Sequence, residues 1–493
     1  MTQTKERELI EVHVGELKQL FNSLDPTPFR ERDLDPRAEE FIVGWATELH
    51  GEPPLGLVVH VDRVDATPAD AAMLREAISE FFKQRALVTR RRLRQVLRVG
   101  RTSLMIGLAA LTASIVLGDL AKTLTAIATD GPDAFYTGWI ADTIEKAMAA
   151  NGGLITKADL AAYQAKERQP VRGTFLGYEI ISMPPPSSGG TALLAMLNML
   201  EALEIQKIPR LSTEAVHLTT EARRRAFLDR ARFLGDPDFV EVPVARLTSK
   251  AHASELIKTI DRTRASSSVE LGKDIVTAPG DESDDTTHFS VADRNGMAVS
   301  LTYTLEGGYG SHLVIPGTGF LLNNEMGDFN KKPGTTNLTG DIGTPANLIA
   351  PGKRMLSSMT PVIVARGSRL VLVTGSPGGR TIINTSLDVV LGVTAWGLNG
   401  RDAVDAPRMH HQWLPDRLSI EANGVSDEVQ AALKALGHDV RVGGTQGSAQ
   451  TIWVHPNTGA IYGVADKRSP DAKASTPTAK PEAQGDGPSG VRR

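Results

Sequence analysis

The sequence predicts an α+β chain whose catalytic part is preceded by a small module and a membrane-crossing helix. Three observations predict it. Two strand–turn–strand patterns lie in the C-terminal half, helical spacings lie before and between them, and a 17-residue uncharged run interrupts the first quarter. A length of 493 residues implies two or three domains. The net charge of −4 gives no nucleic-acid signature. With no cysteine, disulfides, thiolate metal sites and cysteine nucleophiles are excluded. The opening MTQTKERELIEVHVGELKQL is too charged for the apolar part of a signal peptide.

Residues 1–101 read as a small module. Leu55–Val61 is a short strand, and residues 70–98 form a helix with Leu74, Ile78, Phe81 and Phe82 at helical spacing. The end of that helix is basic, with Arg90, Arg91, Arg92, Arg94, Arg98 and Arg101. The uncharged run 102–118 follows directly. Its length alone would suit a buried core helix, but the arginine flank favours a transmembrane helix, with residues 1–101 inside and the catalytic region periplasmic or extracellular. Residues 119–285 read as mixed α and β, with helices over 138–150 and 190–204 and the rigid turn PPPSSGG between strand and helix. Residues 261–285, with a serine run, a Pro-Gly and an acidic end, read as an exposed linker. Residues 286–468 switch to strands. THFSVAD and GMAVSLTYT flank Arg294-Asn295-Gly296, and PVIVAR and RLVLVTG flank Gly367-Ser368; both are hairpin patterns. Residues 469–493 are polar, lack aromatics and are expected to be a disordered tail.

Threonine needs a base beside it to act as a nucleophile. As the first residue of a chain it gains its own α-amine, which titrates near pH ~8. That arrangement requires a cut before a threonine, where a flexible segment meets a strand. Asp285-Thr286 is such a place. A three-residue hairpin loop with Gly296 left-handed would set Thr286 opposite Thr304, so that the two hydroxyls share a face; a two-residue loop would separate them. Acyl transfer also needs oxyanion donors. Gly378 and Gly379, between a strand and a helix, can offer backbone N–H groups at close range. Glu325 and Asp328, taken alone, suit solvated turn positions equally well. His410 and His411 are adjacent, point to opposite faces and read as structural.

Taken in order, DGPDAFYTGWIADTI, NGGLITKADLAAYQAKERQPVRG, SMPPPSSGG, LGDPDFV, TTHFSVADRNGMAVSLTYTLEGGYGS, LLNNEMGDF, KRMLSSMTP, GSPGGRTIIN and APRMHHQWLPD resemble the γ-glutamyltransferase (glutathione hydrolase) family, over about residues 118–468. The resemblance implies an αββα N-terminal-nucleophile hydrolase sandwich and autocleavage between Asp285 and Thr286, leaving a large and a small fragment associated. It implies Thr286 as nucleophile, Thr304 as its hydrogen-bond partner, and Gly378 and Gly379 as the oxyanion hole. Glu306, Glu325 and Asp328 would hold the substrate ammonium, and Ser357 and Ser358 its carboxylate. Many members of the family carry Asn at position 306. Thr339 falls where the pocket lid of some members carries an aromatic residue, which implies looser closure. Glutathione or another γ-glutamyl compound would be the donor, and water, an amino acid or a peptide the acceptor; no cofactor or metal is implied.

One departure is large. The N-terminal part of the family's large subunit, with its carboxylate-clamping arginine, has no counterpart here, so the sandwich is expected to be truncated and to leave an apolar face. Lys353 and Arg354 are the cations nearest Ser357 in sequence. A second expectation follows: an inactive, unprocessed, membrane-tethered remnant with a structural or binding role.

Overall fold

The computed structural model of the chain describes residues 8–22, 33–48, 55–62, 68–275 and 287–475, without the side chains of 8, 48, 68–70, 88 and 91–116. Asp285 and Thr286 therefore lie outside the described residues, as does the expected tail from 476 on. The chain divides into two compact units, residues 1–115 and 116–493.

In the first unit, β1 (Glu8–Val14) and β2 (Leu55–Val61) pair in parallel. Alternation sends Ile10 and Val12 to one face, where they pack with Leu57, Val59 and residues of two helices, among them Ile42, Ala77 and Phe81. The basic helix is longer than its sequence pattern indicates, running over Pro68–Asp130. The run 102–118, expected to cross a membrane, is helical but its side chains lie almost wholly outside the description. Among the described residues no helix is long and apolar enough for a span. The run itself has 17 residues, including Thr102, Ser103, Thr112 and Ser114, which is short of the roughly 20 apolar residues a span needs. The membrane tether therefore has no structural support.

The second unit is built on a six-stranded antiparallel sheet. Its strands are β3 (Val171–Phe175), β4 (Tyr178–Ser182), β7 (Val362–Arg366), β8 (Arg369–Thr374), β12 (Thr451–Val454) and β13 (Ile461–Val464), in the order β13-β12-β8-β7-β4-β3. β5 (Thr287–Ala292) and β6 (Ala298–Tyr303) form a separate hairpin, and β9 (Met409–His410), β10 (Leu418–Ile420) and β11 (Val440–Val442) a small third sheet. The helix Gly189–Ala202 is apolar all round and buried along nearly its whole length, packing with the helices Thr213–Phe233 and Thr381–Thr394 in the main core.

The hairpin meets the main sheet through polar contacts. Ser290 Oγ donates to Gln450 O (2.8 Å) and Ser300 Oγ to Thr374 O (3.0 Å). Its opposite face carries Phe289, Val291, Val299, Leu301 and Tyr303, which are 37–58% exposed. Of the expected αββα layering, the described residues supply a helix layer, a full sheet and a two-stranded second sheet whose outer face is exposed.

Over 261–275 the expected linker is mostly exposed but is anchored at the short helix Ser268–Leu271, where Ser268 and Gly272 are buried. The serines are used to satisfy buried charge: Ser266 N donates to Glu221 (3.1 Å), Ser268 N to Asp416 (2.8 Å), and Arg224 donates to Ser268 Oγ (2.5 Å). Composition alone could not reveal partners so distant in sequence.

Candidate active site

The hairpin register is Thr287↔Tyr303 through Ala292↔Ala298. Asp293 N bonds Met297 O at 2.9 Å, so the loop has three residues, with Gly296 left-handed at φ 89°. This is the three-residue loop of the expectation, and the described pairing begins at Thr287↔Tyr303. His288 is buried on the inner face, between the hydroxyls of Thr302 (2.9 Å) and Ser290 (3.2 Å), and burial lowers its pKa to about 4. A Cβ on Gly375 would lie 2.2 Å from its ring, so the hairpin sits directly on the loop that leads from β8 to Gly378 and Gly379.

Both glycines have positive φ, 122° and 50°. A Cβ at Gly378 would come 2.5 Å from Thr381 Oγ1. That hydroxyl and the Thr381 amide both donate to Gly378 O (2.6 and 2.9 Å), fixing the turn into the helix Thr381–Thr394.

Beside Thr304 the chain gathers three carboxyl groups. Glu306 N donates to Thr304 Oγ1 (2.8 Å), and Thr304 in turn hydrogen-bonds Glu325. Burial, then the charges of Asp328 and Glu306, push Glu325 up to about 7. Burial also raises Asp328, against the opposing pull of Arg230, Arg380 and Lys331. Glu306 adopts φ 70°, a left-handed conformation that Asn enters more easily than Glu does. A side chain at Gly327 would strike Glu306, 2.0 Å from Oε1.

Ser357 and Ser358 are held by the PPPSSGG turn. Ser357 Oγ donates to Ser187 Oγ (2.8 Å), and Ser188 Oγ to Ser357 O (2.7 Å). Gly189 permits the approach, since a Cβ there would lie 2.3 Å from Met359 O. The cation beside these serines is Arg230, which sequence reasoning missed. It is 8% exposed, and donates from Nε to Ser188 Oγ (2.9 Å) and from Nη2 to Ser358 Oγ (3.1 Å). Its only sequence signal is its place seven residues after Arg223 on one helix face. Lys353 and Arg354 are engaged elsewhere, Lys353 with Ala346 O (2.8 Å) and Arg354 with Gln164 O (2.7 Å).

Arg230 and Arg380 both act on Asp328, so the serine pair, the acidic cluster and the glycine turn converge. Arg380 also donates to Gly340 O (2.9 Å), tying down the loop in which Asn337 Oδ1 accepts from the amides of Thr339, Gly340 and Asp341. The loop that bears Thr339 is therefore anchored by polar bonds rather than by an aromatic side chain. Carboxylates on one side and an arginine with hydroxyls on the other suit a ligand carrying both an ammonium and a carboxylate. His410 and His411 are structural: His410 Nδ1 lies 2.6 Å from Asn384 Nδ2, His411 Nε2 lies 3.2 Å from Asp416, and burial lowers their pKa values to about 3 and about 4.

The fold defines the class first. It is the mixed α/β fold of the N-terminal-nucleophile hydrolases, matching the crystal structure of cephalosporin acylase from Bacillus halodurans over 72% of this chain and 61% of that one (TM-score 0.62, 27% identity). The family model for gamma-glutamyltranspeptidase matches residues 109–476, and the chain belongs to that family. It is 48% identical to the glutathione hydrolase proenzyme of Escherichia coli K12 over 73% of this chain and 61% of the relative. It is 40% identical to the acylase ACY 1 proenzyme of Pseudomonas sp. SE83, over 71% and 60%. The chain thus spans about three-fifths of the length of such relatives.

Proposed function

We propose that the chain is a γ-glutamyltransferase proenzyme that cuts itself between Asp285 and Thr286 and then moves a γ-glutamyl group from glutathione or a related amide. The observation that carries this reading is the acidic cluster Glu306–Glu325–Asp328, meeting Thr304 on one side and Arg230 with Ser358 on the other. Thr286 Oγ1 attacks the γ-carbonyl while its α-amine takes the proton, and the Gly378 and Gly379 amides receive the oxyanion. Collapse expels the amine and leaves a γ-glutamyl ester, which water or an amino acid or peptide then cleaves. Intact masses of purified protein test the first step, and release of product from a γ-glutamyl anilide tests the second. A single uncut chain, inert towards the anilide, would overturn the proposal.

Glu325 makes the binding step pH-dependent. Its pKa of about 7 means that it is protonated in the empty site in mild acid, and only its ionised form attracts an ammonium. KM is therefore expected to fall roughly tenfold between about pH 6 and pH 8, as the competent fraction rises. Glu325→Gln should bind weakly at every pH in that range. Identical KM profiles for the two proteins would remove Glu325 from ammonium recognition.

Gly378→Ala should lower kcat by about 10²–10³-fold, the usual effect of losing an oxyanion donor. The added Cβ both occupies a positive φ and collides with Thr381 Oγ1. Strain of about 1–3 kcal/mol should also appear as a lower Tm. Full activity in this variant would place the oxyanion elsewhere.

A further inference from the structure

The solvent face of the first unit's sheet carries three side chains with converging donor atoms. The in-register parallel pairing sets His13 opposite His60 and Glu11 opposite Val58. Ile10 and Val12 point into the core, so Glu11, His13 and His60 stand together on the other face. The two imidazoles stack with centroids 4.3 Å apart and planes 10° from parallel. His60 Nε2 lies 3.4 Å from Glu11 Oε2. One donor atom from each of the three lies within 4.8 Å of the others. His60 Nε2 is nevertheless shielded from solvent and has no hydrogen-bond partner, an orphaned polar atom aimed into the cluster.

We propose that Glu11, His13 and His60 form a binding site for a divalent transition-metal ion of the zinc, cobalt or nickel kind. Two imidazoles and one carboxylate are the donor set such ions prefer, whereas calcium and magnesium need mainly oxygen. Ligand bonds of roughly 2.0–2.2 Å around a tetrahedral ion place donors about 3.4 Å apart, so these surface side chains need only small rotations. Three protein ligands leave the fourth position to water, and the ion stays exchangeable. A second trio, His217, Glu221 and His438, is buried but differs in kind. Its Glu221 is bonded to Arg224 (3.2 Å) and Arg225 (2.5 Å), and His217 bonds His438 and Asp261 O (both 2.8 Å). With two guanidinium charges on its only carboxylate and both nitrogens of His217 engaged, that trio is set against a cation although His438 Nδ1 has no partner.

The proposal is independent of the γ-glutamyl chemistry. Its test is titration of the full, untagged, chelator-stripped chain with Co²⁺ and Zn²⁺, followed by calorimetry and by the visible absorption of bound Co²⁺. One equivalent is expected to bind per chain. His13→Gln with His60→Gln should abolish that binding, and Glu11→Gln should weaken it at least about tenfold, the loss typical even of an outer partner. X-ray absorption of the Co²⁺-loaded chain provides a reading free of variants and should show two imidazole ligands. Failure to bind one equivalent, binding retained in the double variant, or fewer than two imidazoles would each overturn the site.

Discussion

Thr286→Ala is expected to stay a single 52.9 kDa chain through days of incubation, where the parent separates under denaturing conditions into pieces of residues 1–285 and 286–493. The substitution removes the hydroxyl that attacks the preceding carbonyl, and no other group can take its place. γ-Glutamyl release should fall by at least about a thousandfold, as it does when a nucleophile is deleted from a working set of catalytic groups. Thr286→Ser keeps the hydroxyl and should cut, more slowly. Cleavage of the alanine variant at the same bond would show that the cut comes from a contaminating protease, and Thr286 would lose both roles.

Arg230→Met should raise KM by about thirtyfold or more. Removing one partner of a buried, hydrogen-bonded charge contact costs about 2–5 kcal/mol, and each 1.4 kcal/mol is tenfold. Arg230 reaches both Ser188 and Ser358 and lies beside Asp328, so it can present a guanidinium to a substrate carboxylate without further ordering. Met fills most of the volume, and a Tm measurement separates lost binding from lost fold. Arg230→Lys keeps the charge but not the fork, and should fall between the two. An unchanged KM in a folded Met variant would assign carboxylate recognition to the serines alone.

The contrast between Thr304 and Arg230 shows what could be read from the chain. The hairpin pattern was local: Asn295-Gly296 between alternating strands dictates the turn, and the turn dictates which residue faces 304. The glycine turn after β8 was legible for the same reason. The helix Thr213–Phe233 was not, because nothing in the local pattern of Arg223, Arg224, Arg225 and Arg230 marks them for burial, yet all four are buried. Their partners come from far along the chain: Arg223 pairs with Asp388 and Arg224 with Asp416. Burial raises Glu221, but Arg224, Ser266 and Arg225 together hold it down at about 2. No periodicity encodes such pairings. The run 102–118 is a different case: hydropathy and flanking charge fit a membrane span while length alone fits a core helix, and among the described residues no helix supports the span.

The central sheet takes β3 and β4 from before position 286 and its other four strands from after it. β4 and β7 are joined by a ladder from Glu179↔Ala365 to Ser182↔Val362, and the ion pairs Arg223–Asp388 and Arg224–Asp416 cross the same divide. A cut at 285–286 therefore turns the interior of one domain into the interface of an obligate heterodimer, of the kind that resembles a core cut in half. Its two halves would co-elute on a native sizing column and melt in one transition, and no dilution short of denaturation would part them.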